Sequence, residues 1–288
     1  MDFFRIKKRI CYHPVGLDDT QLLSELQKFG SFTYMPNSGN MGDMLIAAAT
    51  IRWFDKNHLR YNRIETPNET PKNFVYGGGG AWIDEWVGGL KTIIEIMKKA
   101  ERVVILPSSF YNVPEFVEIL DERFVVFCRE KKSYEYLLEQ GTKAKILLDH
   151  DMAFRLDGDI FKNLSAPSRL KKLASSLRNA VKSLSKEVYL YRKDSESKGN
   201  YKTDLDLSNM LGWFSSYETI KDIDFAIGIM MEFLTHFETI YTDRLHVGVA
   251  SALLGKKVIL SDNSYGKLRG VYNQTMYKFP NVQLKQER

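Results

Sequence analysis

The chain has 288 residues, a hydrophobic fraction of 44% and a formal net charge of +5 at pH 7. That is ample for one large packed domain or two of ordinary size, and it excludes an intrinsically disordered chain. The charge is mild and the aromatics are not interleaved with Lys and Arg, which argues against a nucleic-acid platform and suits an anionic small substrate or a membrane surface. Two cysteines, Cys11 and Cys128, each sit in an apolar run. They argue against a disulfide framework and a cysteine-ligated metal, and favour a reducing compartment. The opening "MDFFRIKKRI" places its charges after the apolar residues, unlike a signal peptide. No apolar run approaches the roughly 20 residues that cross a bilayer. A cytoplasmic location is expected.

In chain order, "NSGNMGD" leads into "MLIAAATIRWFDK", whose apolar spacing predicts a helix beginning near Met44. "NFVYGGGG", "RVVILPSS", "RFVVFCRE" and "AKILLDHD" read as short buried strands ending in polar or glycine turns. Between them, "GGLKTIIEIMKKA", "VPEFVEILDE" and "SYEYLLEQG" carry helical periodicity. Such alternation predicts parallel βαβ units with right-handed crossovers and a ligand site at the carboxyl ends of the strands. The pattern breaks at "DGDIFKNLSAPSRLKK", which reads as a linker. A second set follows: "EVYLYRKD" strand, "DFAIGIMMEFLTHF" helix, "TIYTD" strand, "LHVGVASALLG" helix, "KKVIL" strand. The expected architecture is α/β, with domains at 1–157 and 158–288 facing each other across a cleft.

Beyond the linker, Leu170, Leu173, Leu177, Val181 and Leu184 share one helical face, with Arg169, Lys171, Lys172, Arg178, Lys182 and Lys186 around the rest. Two readings stay open: a surface helix packed on its own domain, or a basic face that touches anionic lipid or a lipid-linked substrate.

Several segments carry chemistry. Gly39 and Gly42 permit tight turns, and Asn40 and Asp43 suit a helix cap. A glycine-rich turn at a helix N-terminus offers N–H groups and a positive dipole end to a sugar or phosphate oxygen. It is neither a Walker loop nor a dinucleotide fingerprint. Gly77, Gly78, Gly79 and Gly80 lie at a strand end and admit a ligand or a second domain closely; Trp82 and Trp86 beside them could stack on a sugar or belong to the core. Ser108 and Ser109 end the next strand, and Arg129 ends the one after, as an anion ligand or a structural ion pair. Asp149, His150 and Asp151 follow a fourth strand; with no third ligand visible, no metal is expected. Arg192 and Asp243 end strands in the second half. Arg244 and His246 sit at the first turn of the next helix, where a guanidinium can grip a carboxylate or phosphate and an imidazole can exchange a proton. "SDNSYGKLRG" brings Asn263, Ser264, Lys267 and Arg269 to the same edge. Arg129, Arg192, Arg244 and Lys267 beside His246 suit a small, multiply charged anion next to a proton donor.

The order of "NSGNMGD", "GGGG", "LPSS", "FCREKKSYEYL", "DHDMAF", "TDRLHVGVASALLGKKVIL" and "DNSYGK" resembles the polysaccharide pyruvyl transferase family over nearly the whole chain. The resemblance implies two Rossmann-like domains arranged as in B-type glycosyltransferases. It implies transfer of a pyruvate ketal from phosphoenolpyruvate, a co-substrate, to two hydroxyls of a sugar in a polysaccharide or its lipid-linked precursor. No cofactor is implied. By that resemblance His246 protonates C3 of phosphoenolpyruvate. Arg244, Arg129 and Lys267 hold the donor and stabilise the departing phosphate, Arg244 as a catalytic residue beside His246; Arg192, Asn263 and Ser264, at the same edge, are further candidates for the donor. Asn40, Asp43, Gly78, Gly79, Gly80, Ser108 and Asp151 face the acceptor.

Two other functions fit the outline. A two-domain glycosyltransferase would use the basic cluster for a nucleotide diphosphate, but no acidic residue is obviously placed to grip a ribose. A non-catalytic carbohydrate- or anion-binding protein would need Arg244 and not His246.

Overall fold

The computed structural model describes residues 16–64, 70–158, 171–193, 197, 201–212, 219–262 and 266–286, apart from the side chains of residues 85, 86, 171–173, 209 and 220. The chain divides into two compact units. One is Gly16–Asn37 with Ala49–Met152; the other joins Ser38–Ala48 to Ala153–Arg288. The turn at Asn40–Asp43 therefore groups with the C-terminal half of the sequence.

The first unit contains α1 (Thr20–Gln27), β1 (Ser31–Met35) and, after the first turns of α2 (Met41–Lys56), β2 (Arg60–Arg63), β3 (Asn73–Tyr76) and β4 (Gly79–Ile83). Then come α3 (Asp84–Val87), α4 (Lys91–Lys99), β5 (Arg102–Tyr111), α5 (Pro114–Val117), β6 (Phe124–Cys128), α6 (Lys131–Glu139) and β7 (Lys145–Leu148). The strands form one parallel sheet in the order β2-β1-β3-β5-β6-β7, with β4 also paired to β5. The chain steps outward from β1 to β2 and then returns to β1's other side with β3. Right-handed crossovers thus send the helices to both faces, and the sheet has its switch point between the carboxyl ends of β1 and β3.

The glycine run sits at that point and is built into the sheet. A Cβ on Gly77 would lie 2.5 Å from Asn37 N, and one on Gly78 would lie 2.5 Å from Pro107 O. Gly79 adopts φ 140° at the start of β4. β3 pairs with the first half of β5 and β4 with its second half, so the glycines form the joint between two strands on one edge. Trp82 belongs to the core: it is 1% exposed and packs on Phe116, with ring centroids 4.3 Å apart. It does not offer a face to a sugar. Trp86, read the same way from the sequence, lies outside the described side chains.

In the second unit α7 (Lys171–Ser183) precedes β8 (Glu187–Tyr189). α8 (Leu207–Leu211), α9 (Ile220–Thr235), β9 (Thr239–Thr242), α10 (Leu245–Leu253), β10 (Lys257–Leu260), α11 (Lys267–Gln274) and β11 (Val282–Leu284) complete it. The four strands run parallel in the order β11-β10-β9-β8. α9 starts on a capping box, in which Thr219 and Asp222 satisfy each other's backbone N–H groups. α7 packs on α9 through buried Ala174 and Leu177, and Arg178 pairs with Glu232 at 3.4 Å. Leu177, from the middle of the predicted apolar face, is therefore spent on its own unit. Most of the predicted linker, residues 159–170, lies outside the described residues. Among the described residues no helix is long and apolar enough to cross a membrane.

α10 is seated deeply because its sequence is small. A Cβ on Gly248 would lie 2.7 Å from Leu260 Cδ2 and 3.4 Å from Met276 Cε. Replacing Gly248 by Val should overpack this contact and cost about 1–3 kcal/mol in urea unfolding. Unchanged stability would show that the helix has room that the packing denies it.

Candidate active site

The site of the second unit is built at the carboxyl ends of β8, β9 and β10. Thr242 ends β9, and its Oγ1 donates to Leu190 O at 2.8 Å and accepts from Arg244 N at 3.0 Å. This hydroxyl ties the β8 exit to the β9 exit. Arg244 then caps α10 in an extended conformation, φ −88°, ψ 108°. Its guanidinium is 7% exposed, and Nη2 donates to Asp206 Oδ2 at 2.6 Å. A buried cation requires such a carboxylate, and a charge-assisted bond of this length fixes the side chain's direction.

Asp243 lies between two arginines. It is 1% exposed, and its Oδ1 accepts the Arg192 backbone N–H at 2.8 Å. Burial pushes its pKa up to about 6, against the pull of that hydrogen bond and of the Arg192 and Arg244 charges. His246 is the second residue of α10 and half-buried. Lys267 opens α11, behind Gly266 at φ 78°. Arg269, next along, bonds through Nε to Asp262 Oδ2 at 3.0 Å. Asn263 and Ser264 lie outside the described residues.

The turn before α2 belongs to this unit. α2 starts at Met41, three residues before the position expected from periodicity, because Asn40 caps it: Asn40 Oδ1 accepts from Gly42 N at 2.8 Å, and Asn40 O accepts from Asp43 N at 2.9 Å. The Asp43 carboxylate fills the space over Gly39, with its Cγ 2.6 Å from where a Cβ would stand.

The other unit holds the remaining predicted residues. Arg129 follows β6 and is 1% exposed. Its Nη1 bonds Asp151 Oδ2 at 2.8 Å and its Nε bonds Ser109 Oγ at 2.8 Å. Glu130 lies at 3.8 Å from Arg129 Nε, accepts from Ser109 at 3.0 Å and bonds Ser133. Burial raises the Glu130 pKa in spite of Arg129. This is a dense, sealed network joining β5, β6 and the β7 exit. Ser108 Oγ is turned back onto Leu106 O at 2.8 Å, while Ser108 O accepts from Arg129 N at 3.0 Å. After β7, Asp149 Oδ1 accepts the His150 backbone N–H at 2.6 Å. Among the described residues no group of three His, Cys, Asp or Glu side chains is placed to hold a metal ion.

Asp206, absent from the candidates read from the sequence, is the partner that immobilises Arg244. Its signal was present: a buried arginine after a strand demands a carboxylate, and "DLDL" just before α8 supplies two. Asp243 was visible as a strand end, but its role in holding the Arg192 backbone was not.

The second unit thus brings Arg192, Asp243, Arg244 and His246 to the ends of adjacent parallel strands. The chain belongs to the polysaccharide pyruvyl transferase family, whose model matches residues 40–265. That span opens on the Asn40 cap and closes just past Ser264. A Bacillus subtilis (strain 168) protein named "Putative pyruvyl transferase EpsO" is 26% identical over 293 aligned residues, covering 91% of each chain. The crystal structure of a functionally uncharacterized Klebsiella pneumoniae protein matches with a TM-score of 0.72 and 28% identity, covering 93% of this chain and 98% of that one.

Asp243 makes stability depend on pH. Its pKa in the folded protein, about 6, stands above the usual aspartate value near 4, so between these values the folded chain keeps a proton that the unfolded chain has released. The contribution is fully present below about pH 4 and is lost as pH rises through about 6, on the order of 3 kcal/mol in all. Asp243→Asn keeps the acceptor for Arg192 N–H and removes the titration. The stability advantage of wild type over this variant, measured by urea unfolding, should shrink from pH 4 to pH 7. An advantage that stays flat or grows would contradict the assignment.

Proposed function

We propose that the protein transfers a pyruvate ketal from phosphoenolpyruvate to two hydroxyls of a sugar in a cell-surface polysaccharide or its lipid-linked precursor. The observation that carries this is the pair Arg244 and His246 on one helical turn, with Arg244 aimed by Asp206 and with Arg192 held nearby on Asp243. The family supplies the reaction class and a carbohydrate acceptor.

The donor carries a carboxylate and a phosphate, so it needs cations fixed in advance of binding. Arg244 and Arg192 supply them here, with Lys267 at the start of α11 as a further one. His246 delivers a proton to C3 of the enol, which makes C2 electrophilic. One sugar hydroxyl adds to C2, phosphate departs with its bonding electrons, and the second hydroxyl closes the ketal. The two hydroxyl protons balance the step: one replaces the proton given to the new methyl group, the other leaves on phosphate. The arginines stabilise the departing phosphate in a site where their positions cost no rearrangement.

Calorimetric titration tests the reading. Phosphoenolpyruvate should bind wild type, and UDP and GDP should not; Arg244→Ala should abolish the heat. With an acceptor present, His246→Ala and Arg244→Ala should each slow phosphate release by on the order of 100-fold or more. Binding of a nucleotide in place of phosphoenolpyruvate would move the protein to the glycosyltransferases.

A further inference from the structure

The turn that opens α2 was read from the sequence as facing the acceptor sugar, yet it has a neighbour of another kind. Gly42 is buried, and a Cβ there would collide with His246 Nδ1 and stand 3.0 Å from His246 Cγ. The imidazole occupies the space that any side chain at position 42 would need. Nothing about the backbone demands glycine: Gly42 lies inside a helix, and its φ is not positive.

The seat itself is rigid. Asn40 holds the Gly42 N–H through Oδ1 and the Asp43 and Met44 N–H groups through its carbonyl, at 2.9 and 3.2 Å for the latter two. Asp43 folds over Gly39. On the other side, α10 carries His246 and is fixed to the sheet by the Gly248 contact with Leu260. The ring is thus bounded by its own helix and by the first turn of α2.

We propose that Gly42, seated by Asn40 and Asp43, is a positioning residue for His246, so that the Gly-Asp turn serves the proton-donating side of the reaction. Its catalytic consequence rests on the pyruvyl-transfer reading; the contact itself does not.

Four proteins test this: wild type, Gly42→Ala, His246→Ala and the double variant. Alanine is favoured over glycine inside a helix, so a loss of stability in Gly42→Ala comes from the contacts of the added carbon, and the part due to His246 is the difference between the two backgrounds. The Asn40 Oδ1 contact, 3.1 Å from the added carbon, is present in both backgrounds and cancels. Gly42→Ala should lower the thermal midpoint by several degrees in wild type and should not lower it once His246 is alanine. Equal losses in both backgrounds would overturn the proposal. If Gly42→Ala fails to fold, a folded double variant sustains the proposal, and an unfolded double variant beside a folded His246→Ala overturns it.

Kinetics well below the midpoint then separate positioning from a structural role. Gly42→Ala should lower kcat about 10- to 100-fold, leave KM for phosphoenolpyruvate within about twofold, and move the pH profile of kcat. A loss confined to KM would assign the turn to substrate and overturn the proposal. Wild-type protein that never consumes phosphoenolpyruvate would sink the pyruvyl-transfer reading, while the stability cycle would still decide the contact.

Discussion

A guanidinium that leaves water needs a carboxylate at hydrogen-bond distance, and this requirement organises both units. In one, Arg129 leaves β6 and meets Asp151 at 2.8 Å; in the other, Arg244 leaves β9 and meets Asp206 at 2.6 Å. Each arginine stands where a parallel strand ends and the chain must turn back. Removing one partner of a buried ion pair is costly, because the remaining charge is left less compensated in a low-dielectric interior. The two pairs nonetheless differ in kind. Arg129 is enclosed by Asp151, Ser109 and Glu130 and knits three strands together. Arg244 caps a helix, sits two residues from His246 and borders a carboxyl with a raised pKa.

The second unit concentrates its chemistry by packing as much as by charge. Gly248 lets α10 lie close on Leu260, and Gly42 leaves room for the imidazole. Thr242 links the exits of β8 and β9 through one hydroxyl. Asp243 adds a backbone anchor for Arg192. The Arg244 guanidinium is aimed in advance by Asp206, and preorganised charge of that kind is what lowers a barrier where negative charge develops.

Much of the fold was legible because buried parallel strands are short apolar runs with turn residues at their ends. β3, β6, β7, β8, β9 and β10 all fall within segments read as strands, and β5 runs two residues past the end read for it, to Tyr111. β2 was illegible because "RYNR" is an edge strand with no apolar face, and β1 because Ser31 and Thr33 interrupt the continuous apolar run by which the other strands were read. β4 was hidden by glycines that looked like a loop; their reason, the approach of Asn37 and Pro107, is a tertiary fact. In the site, "DRLH" announced Arg244 and His246 by residue type and position. For Asp206 the sequence held a general signal, carboxylates before α8, but neither its pairing with Arg244 nor that of Gly42 with His246 could be assigned, because the partners lie far along the chain.

The central claim is that His246 and its arginines drive proton-coupled ketal transfer from phosphoenolpyruvate. The most direct measurement is turnover in D2O with the source organism's polysaccharide, freed of ketals by mild acid, as acceptor. The account predicts one phosphate released per ketal formed and one deuterium in each new methyl group, read by mass spectrometry. Phosphate release with no ketal, or a ketal methyl free of solvent deuterium, would contradict it.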